Sequence, residues 1–295
     1  MSLTSIAGVR VGHWTHDTAQ TGCTVIVPPV PNVATVEVRG AAPGSRELAL
    51  LGVGMTVQEV SAIVLTGGSA FGLAAADGVM AACEEDGRGH PTPAGLVPIV
   101  PAAVIYDLAV GDGSIRPTAA NGRAAYEVAS DRPVLSGAVG AGAGATVAKW
   151  RGPAATRPSG LGSSLVKVGG VQVAALSVVN ALGDVYGLDG TPLTGGPGMG
   201  QMPRGSFGSP TALTNTTLSC VITDAVVDRV TLARLAVRAH DAFGAMISPV
   251  HTRFDGDTVF LVATATGGES QDEALGEAVF LAVARSINAA VESSG

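Results

Sequence analysis

An α/β fold built from small aliphatic side chains is what the sequence predicts, and three observations predict it. Charged residues make up only 14% of the chain, against about 25% in ordinary soluble domains, while apolar residues reach 46%. Aromatic residues contribute just 4%, so alanine and β-branched aliphatics must fill the core. Short apolar runs of strand length also alternate with segments of helical period. With 41 glycines in 295 residues, many turns are expected, and the length suits one large domain or two small ones. A mean hydropathy of +0.39 with so little charge excludes a disordered chain and implies some surface buried between subunits.

The same arithmetic removes several function classes. A net charge of −7 with no basic cluster argues against nucleic acid, because phosphate neutralisation needs grouped Lys and Arg. No apolar run reaches the roughly 18 residues that cross a bilayer. The N-terminal MSLTSIAGVRVGHW lacks the basic start and long apolar stretch of a signal peptide. Cys23, Cys83 and Cys220 form an odd set without CxxC spacing, which points to a reducing compartment, the cytoplasm, and no disulfide framework.

Taken in order, residues 22–28 (GCTVIVP) and 33–38 (VATVEV) read as strands joined by a proline-rich turn. SAIVLT at 61–66 has the form of a buried strand and leads through Gly67 and Gly68 into a small-residue helix, about Phe71 to Glu85. Strand-like runs follow at 97–105 and 171–179, with a Gly/Ala segment at 137–149 between them. From Leu188 to Thr214 the chain is dense in Gly, Pro, Ser and Thr, which signals a long functional loop. NTTLSCVITDA at 215–225 then restores a strand pattern. A helix over 231–246 follows, with Thr231 as its cap and Leu232, Leu235, Ala239 and Phe243 on one face. HTRFDGDTVFLVATA at 251–265 gives a turn and a strand, and Leu275, Val279, Val283 and Ile287 define a last helix over 271–292. This C-terminal β-α-β-α unit reads as cut off from the rest by the loop, and no fixed-period repeat is visible.

Four groups of residues invite chemistry. Gly140, Gly142 and Ala145 fit G-x-G-x-x-A, but no acidic residue lies where a dinucleotide site needs one, and no P-loop motif occurs. Ser69 in GGSAFG falls one residue short of a nucleophile elbow, so a tight turn is the simpler reading; such a hydrolase would need His240 or His251 as base. His13, His16 and Cys23 lack metal-site spacing, so no metal is expected, and Cys220 belongs to a strand core. The fourth is the loop-to-strand junction Asn215-Thr216-Thr217. A threonine whose own α-amine is freed by chain cleavage can use that amine as base, since an α-amine titrates near about 7.7–8.0. The Asp255-Gly256-Asp257 turn and the isolated Lys149 are its candidate helpers.

The motifs GVRVGHWTH, TGCTVIV, GAAPGSRE, LTGGSAFGLAAADGVM, GAGATVAK, NTTLSCVITDA and PVHTRFDGDTVFLVAT together resemble, in order, the DmpA-like family of self-processing aminopeptidases. That family includes L-aminopeptidase/D-amidase/esterases, β-aminopeptidases and nylon-oligomer endo-hydrolases, and the resemblance runs from about residue 8 to 290. It implies a single-domain, four-layer αββα sandwich akin to N-terminal-nucleophile hydrolases. It further implies self-cleavage between Asn215 and Thr216 into residues 1–215 and 216–295, with Thr216 as nucleophile in processing and turnover. Asp255 and Asp257 would orient the threonine amine and hydroxyl, Lys149 would favour the alkoxide, Asn180 would donate to the oxyanion, and Tyr106 would assist there or touch substrate. The resemblance implies no cofactor, a small peptide or amide substrate and a homo-oligomer, tetrameric or larger. After GAAPGSRE the chain runs LALL where polar residues are usual in the family. Two other readings remain open: a serine hydrolase using Ser69, and an uncleaved homologue serving as a binding or assembly protein.

Overall fold

A computed structural model of the chain describes residues 1–199, 215–269 and 272–293; positions 200–214 of the expected loop lie outside the described residues. Two five-stranded sheets dominate. One orders its strands Arg10–His16, Thr21–Val27, Ile63–Thr66, Ala102–Val104 and Ser45–Arg46. The other orders Leu161–Val168, Val171–Asn180, Thr216–Thr223, Thr258–Ala263 and Val33–Val38. Helices α1 (Ala75–Glu85) and α2 (Ala119–Glu127) cover the outer face of the first sheet, and α3 (Arg229–Met246) and α4 (Asp272–Glu292) cover that of the second.

Strand periodicity explains why this stacks into four layers. Successive side chains point to opposite faces, so a strand buried on both sides must be apolar throughout. In Thr216–Thr223, Leu218, Cys220 and Ile222 enter the core between the sheets, together with Ile26, Ile63 and Leu65. Val221 points the other way, into the core beneath α3 and α4 with Leu232, Phe243, Val279 and Ile287. Val64 and Val25 fill the third core, under α1 and α2. Three apolar interlayers therefore separate four layers, α-β-β-α, as expected. The helical faces formed by Leu232, Leu235, Ala239 and Phe243, and by Leu275, Val279, Val283 and Ile287, are all buried. By length and composition α4 is the one described helix apolar enough to cross a membrane, yet it lies on strands Leu161–Val168 and Val171–Asn180.

Several expectations are corrected. The C-terminal β-α-β-α unit is not set apart: Thr216–Thr223 pairs with Val171–Asn180, and Thr258–Ala263 pairs with Val33–Val38. Its two strands run parallel to each other across the α3 crossover, and N-terminal strands flank them on both sides. The cap of α3 is Asp228, whose carboxylate accepts from Thr231 N; Thr231 lies inside the helix. The helix expected from Phe71 begins as a 3₁₀ turn, Ser69–Ala74, and only Ala102–Val104 of the run 97–105 joins the main sheet. Strands Arg10–His16 and Leu161–Val168 and helix α2 are additions to the sequence reading.

Candidate active site

The candidate groups gather at one end of the second sheet. Thr216 opens its strand and is buried, paired directly across from Asn180 at the end of the neighbouring strand. On its other side, Asn215 forms a parallel bridge with Asp255. The sheet places the three sequence-distant motifs VVNALGDV, NTTLSC and FDGDT on adjacent strands, which is why they meet.

The peptide bond before Thr216 is held on both sides. Gly256 N–H donates to the Asn215 carbonyl oxygen at 3.0 Å, and the Thr216 hydroxyl donates to that same oxygen. Glycine is required at 256, because a Cβ there would lie 2.8 Å from Thr216 Oγ1. The Asp255–Asp257 turn is gripped from behind by the segment RGAAP: Ala42 N–H donates to Asp255 O at 2.9 Å and Arg39 N–H to Asp257 O at 3.0 Å. A Cβ on Gly40 would collide with the Asp255 backbone, so this close approach also depends on glycine.

The two acids differ in their partners. Asp257 accepts Thr217 N–H through Oδ1 at 2.7 Å, and through Oδ2 both the backbone N–H of His251 (3.1 Å) and its Nδ1 (2.8 Å). Asp255 Oδ2 accepts from Thr252 N at 2.8 Å and from the Thr252 hydroxyl. Burial, and next the charge of Asp257, push the Asp255 carboxyl up to about 6, against the Thr252 hydrogen bonds and the Lys149 charge.

Opposite the acids, Lys149 Nζ donates to the Asn180 carbonyl (3.1 Å) and to Asn180 Oδ1 (2.8 Å). Burial lowers its ammonium to about 7, an effect the nearby Asp255 charge opposes. Asn180 is itself fixed, accepting Thr146 N–H on Oδ1 at 3.0 Å and donating Nδ2 to the Tyr106 backbone carbonyl at 3.1 Å. Tyr106 thus touches this cluster through its main chain. A second buried network steadies the Lys149 turn: the Asp184 carboxylate accepts Trp150 Nε1 (2.7 Å), Arg151 Nε (2.9 Å) and Thr194 Oγ1 (2.6 Å).

All six residues expected at the site, Thr216, Asp255, Asp257, Lys149, Asn180 and Tyr106, therefore belong to one connected set of contacts with Asn215. The remaining candidates lie elsewhere. Ser69 sits in a turn held by Asp107, whose carboxylate accepts Gly68 N–H and Thr21 Oγ1, each at 2.7 Å. No hydrogen bond joins Ser69 to a histidine among the described residues; His240 pairs with the Glu37 carbonyl and His251 with Asp257. Gly140–Gly142 is a 3₁₀ turn packed onto the first sheet, with no strand-to-helix geometry for a pyrophosphate. His13 bonds Thr24 Oγ1 and is pushed by burial down to about 4. Cys220 is buried as expected, and no cluster of metal-ligating side chains occurs among the described residues.

Sequence reading missed His251 and Thr252 as partners of the acids, the Gly256 N–H and the Thr146–Asn180 link. His251 stood out only as a late histidine; its spacing to Asp257 matches no general pattern, and only the turn makes them neighbours.

Known proteins resemble this chain in sequence and in fold. Residues 1–294 match peptidase family S58. An uncharacterised aminopeptidase of Mycobacterium tuberculosis is 40% identical over 293 residues, covering 89% of this chain and 81% of its own. A 6-aminohexanoate-oligomer endohydrolase of Paenarthrobacter ureafaciens is 32% identical over 271 residues, covering 87% of this chain and 73% of its own. Among solved structures, the L-aminopeptidase D-Ala-esterase/amidase of Ochrobactrum anthropi, described as a variant of the Ntn hydrolase fold, superposes with a TM-score of 0.76 at 21% identity, over 99% of this chain and 86% of that one. The chain belongs to peptidase family S58 and is a peptidase, an amide-bond hydrolase of the Ntn-hydrolase fold.

Proposed function

We propose that this is a self-processing threonine hydrolase that cuts its own backbone between Asn215 and Thr216 and then cleaves amide bonds in small peptides, amino-acid amides or ω-amino acid oligomers. The observation that carries the reading is the Asn215 carbonyl, which faces the Thr216 hydroxyl and already accepts the Gly256 N–H. A donor placed on a carbonyl oxygen stabilises the charge that grows there during attack.

In processing, Thr216 Oγ1 adds to the Asn215 carbonyl carbon while its proton passes to a nearby base. Lys149, lowered to about 7 by burial, is in part neutral at cytosolic pH and suits that task. The tetrahedral oxyanion is held by Gly256 N–H; the Thr216 nitrogen leaves with a proton, giving an ester that water then hydrolyses. Residues 1–215 and 216–295 result, still one hydrolase domain, and Thr216 gains a free α-amine. In turnover this amine accepts the hydroxyl proton, the substrate acylates Oγ1 and loses its amine, and water releases the acid. Asp257 anchors the strand start through Thr217 N–H, Asp255 supplies negative charge beside Lys149, and Asn180 positions the lysine and donates towards the oxyanion. Tyr106 meets Asn180 through its backbone carbonyl, from where it would assist at the oxyanion or touch substrate.

The name of the Paenarthrobacter relative supports oligoamides among the substrates, and those of the mycobacterial relatives support peptides. A homo-oligomer of four or more copies is part of the same reading. Three buried, unpaired cysteines support a cytoplasmic location. The test is the mass of freshly purified protein at neutral pH. Two fragments, the smaller beginning at Thr216, are expected; one intact mass of 29.1 kDa after long incubation overturns self-processing at Thr216.

A further inference from the structure

Lys149 stands on a turn that one buried acid grips. Residues Lys149–Arg151 form a 3₁₀ turn entered through Ala148 at φ +62°, in the left-handed region that residues with a Cβ seldom adopt. Such a backbone persists only where its surroundings fix it. Two main-chain bonds contribute: Ala148 N–H donates to Gly183 O at 2.8 Å, and Trp150 N–H to Leu182 O at 3.0 Å. They lay the turn along the chain that follows Asn180. The next residue on that chain is Asp184, whose main chain is itself seated by antiparallel pairing with Ser248.

The Asp184 side chain is fully buried, and both of its oxygens are committed. Oδ2 accepts Trp150 Nε1 at 2.7 Å and Arg151 Nε at 2.9 Å; Oδ1 accepts Arg151 Nη2 at 2.8 Å and Thr194 Oγ1 at 2.6 Å. The two residues directly after Lys149 are therefore held by one carboxylate, and the arginine is held by a two-pronged fork that gives direction as well as attraction. This acid–arginine pair is neutral overall. The charged group that faces the lysine is Asp255, from the turn across the site. A buried ion pair adds little net stability over apolar groups of similar volume, so its use here lies in fixing geometry.

We propose that Asp184 is a positioning residue for Lys149: by locking Trp150 and Arg151 it holds the lysine amine against Asn180 and away from water. Its importance for the reaction rests on the reading of Lys149 as the base in processing; the positioning itself does not. Without the carboxylate charge both donors lose their anchor, the turn through Ala148 relaxes, and water reaches Nζ. Hydration favours the ammonium, so the lysine moves back from about 7 towards its ordinary 10.5, and less of it is neutral at cytosolic pH.

The chain has two lysines, Lys149 and the exposed Lys167, so carbon NMR of lysine-labelled protein follows each one separately. In the uncut Thr216→Ala chain, Lys149 is expected to titrate at least about two units below Lys167. Adding Asp184→Asn should raise the Lys149 midpoint by at least about one unit, and Trp150→Phe, which removes a single bond, by about half as much, with Lys167 unmoved. In the self-cleaving chain, Asp184→Asn should move the acid limb of the processing rate upward to match and slow cleavage at pH 7 at least about fivefold. Thermal melts check folding, and Trp150→Phe decides if Asp184→Asn does not fold. A Lys149 midpoint that stays put in the folded variants, or one already level with Lys167 in the uncut parent, overturns the proposal. A wild-type chain that never cleaves, or a Lys149→Met chain that cleaves at the normal rate, would strike the functional reading, while the NMR midpoints still judge Asp184.

Discussion

Two hydroxyl residues stand at comparable places, each beside the end of a strand. Ser69 follows Ile63–Thr66 in a glycine-rich turn, and Thr216 begins Thr216–Thr223 after an equally glycine-rich stretch. Their surroundings have opposite purposes. At Ser69, the nearby acid Asp107 spends both oxygens on the turn itself, through Gly68 N–H and Thr21 Oγ1. At Thr216, the acids secure the neighbouring backbone and the hydroxyl stays directed at a carbonyl. A hydroxyl at a strand end becomes a candidate nucleophile only when a polarised carbonyl and tunable bases surround it, and local sequence shows neither.

The sharpest way to break this contrast is a pair of substitutions. Thr216→Ala should leave a single uncut chain and lower amide hydrolysis by at least about a thousandfold, whereas Ser69→Ala should alter it by less than about twofold. Gel analysis and an amide-substrate assay decide; activity that survives the first and vanishes in the second reverses the assignment. Lys149→Met keeps the stem but removes the ammonium, and we expect processing and turnover to slow about 10²–10³-fold, read from a cleavage time course.

A finer test concerns His251, a positioning residue that acts through Asp257. His251→Ala should lower kcat about tenfold with little change in KM, and His251→Asn, whose amide nitrogen replaces Nδ1, should restore most of it. Equal loss in both variants would reduce His251 to packing against Phe243 and His240. At the Ser69 junction, Asp107→Asn should lower stability by about 1–3 kcal/mol in urea unfolding, while processing still occurs.

Smallest is the pH dependence of stability. His13 and His240 are lowered to about 4 by burial, so between about 4 and their ordinary 6.5 the unfolded chain binds more protons, and stability falls as pH drops through that window. Asp255, raised from 3.8 to about 6, has the opposite sign: its burial penalty is relieved as pH falls through the same range. Asp107, which burial also raises, shares the sign of Asp255, but the two histidine shifts each span nearly the whole window, so Tm should decline from pH 6.5 to 4. His240→Gln should flatten the decline and Asp255→Asn should steepen it, both measured by thermal melts across that range.

Much of this could be read before folding was considered. Helical spacing identified the buried faces of α3 and α4, and the alternating run 33–38 matched its strand, because each pattern is local and repeats with the element's own period. Leu161–Val168 escaped detection because Ser163, Ser164 and Lys167 interrupt its apolar run. Their cost is met by distant partners: Ser163 donates to Ala175 O and Ser164 to Ala282 O on α4. Arg10–His16 is hidden for a related reason, being an edge strand whose side chains are mostly half-exposed.

The chain's composition and periodicities by themselves determined an α/β protein of small aliphatic cores, and its motifs singled out Thr216, Asp255, Asp257 and Lys149. Tertiary structure alone decided that strands from both ends of the chain interleave, bringing Asn180, Thr216 and Gly256 side by side. It also decided that Lys149 and Asp255 are buried enough to leave their ordinary protonation ranges. The reason is that side-chain period and turn chemistry act over a few residues, whereas hydrogen-bond partnership and desolvation depend on which distant segments the packed layers bring together.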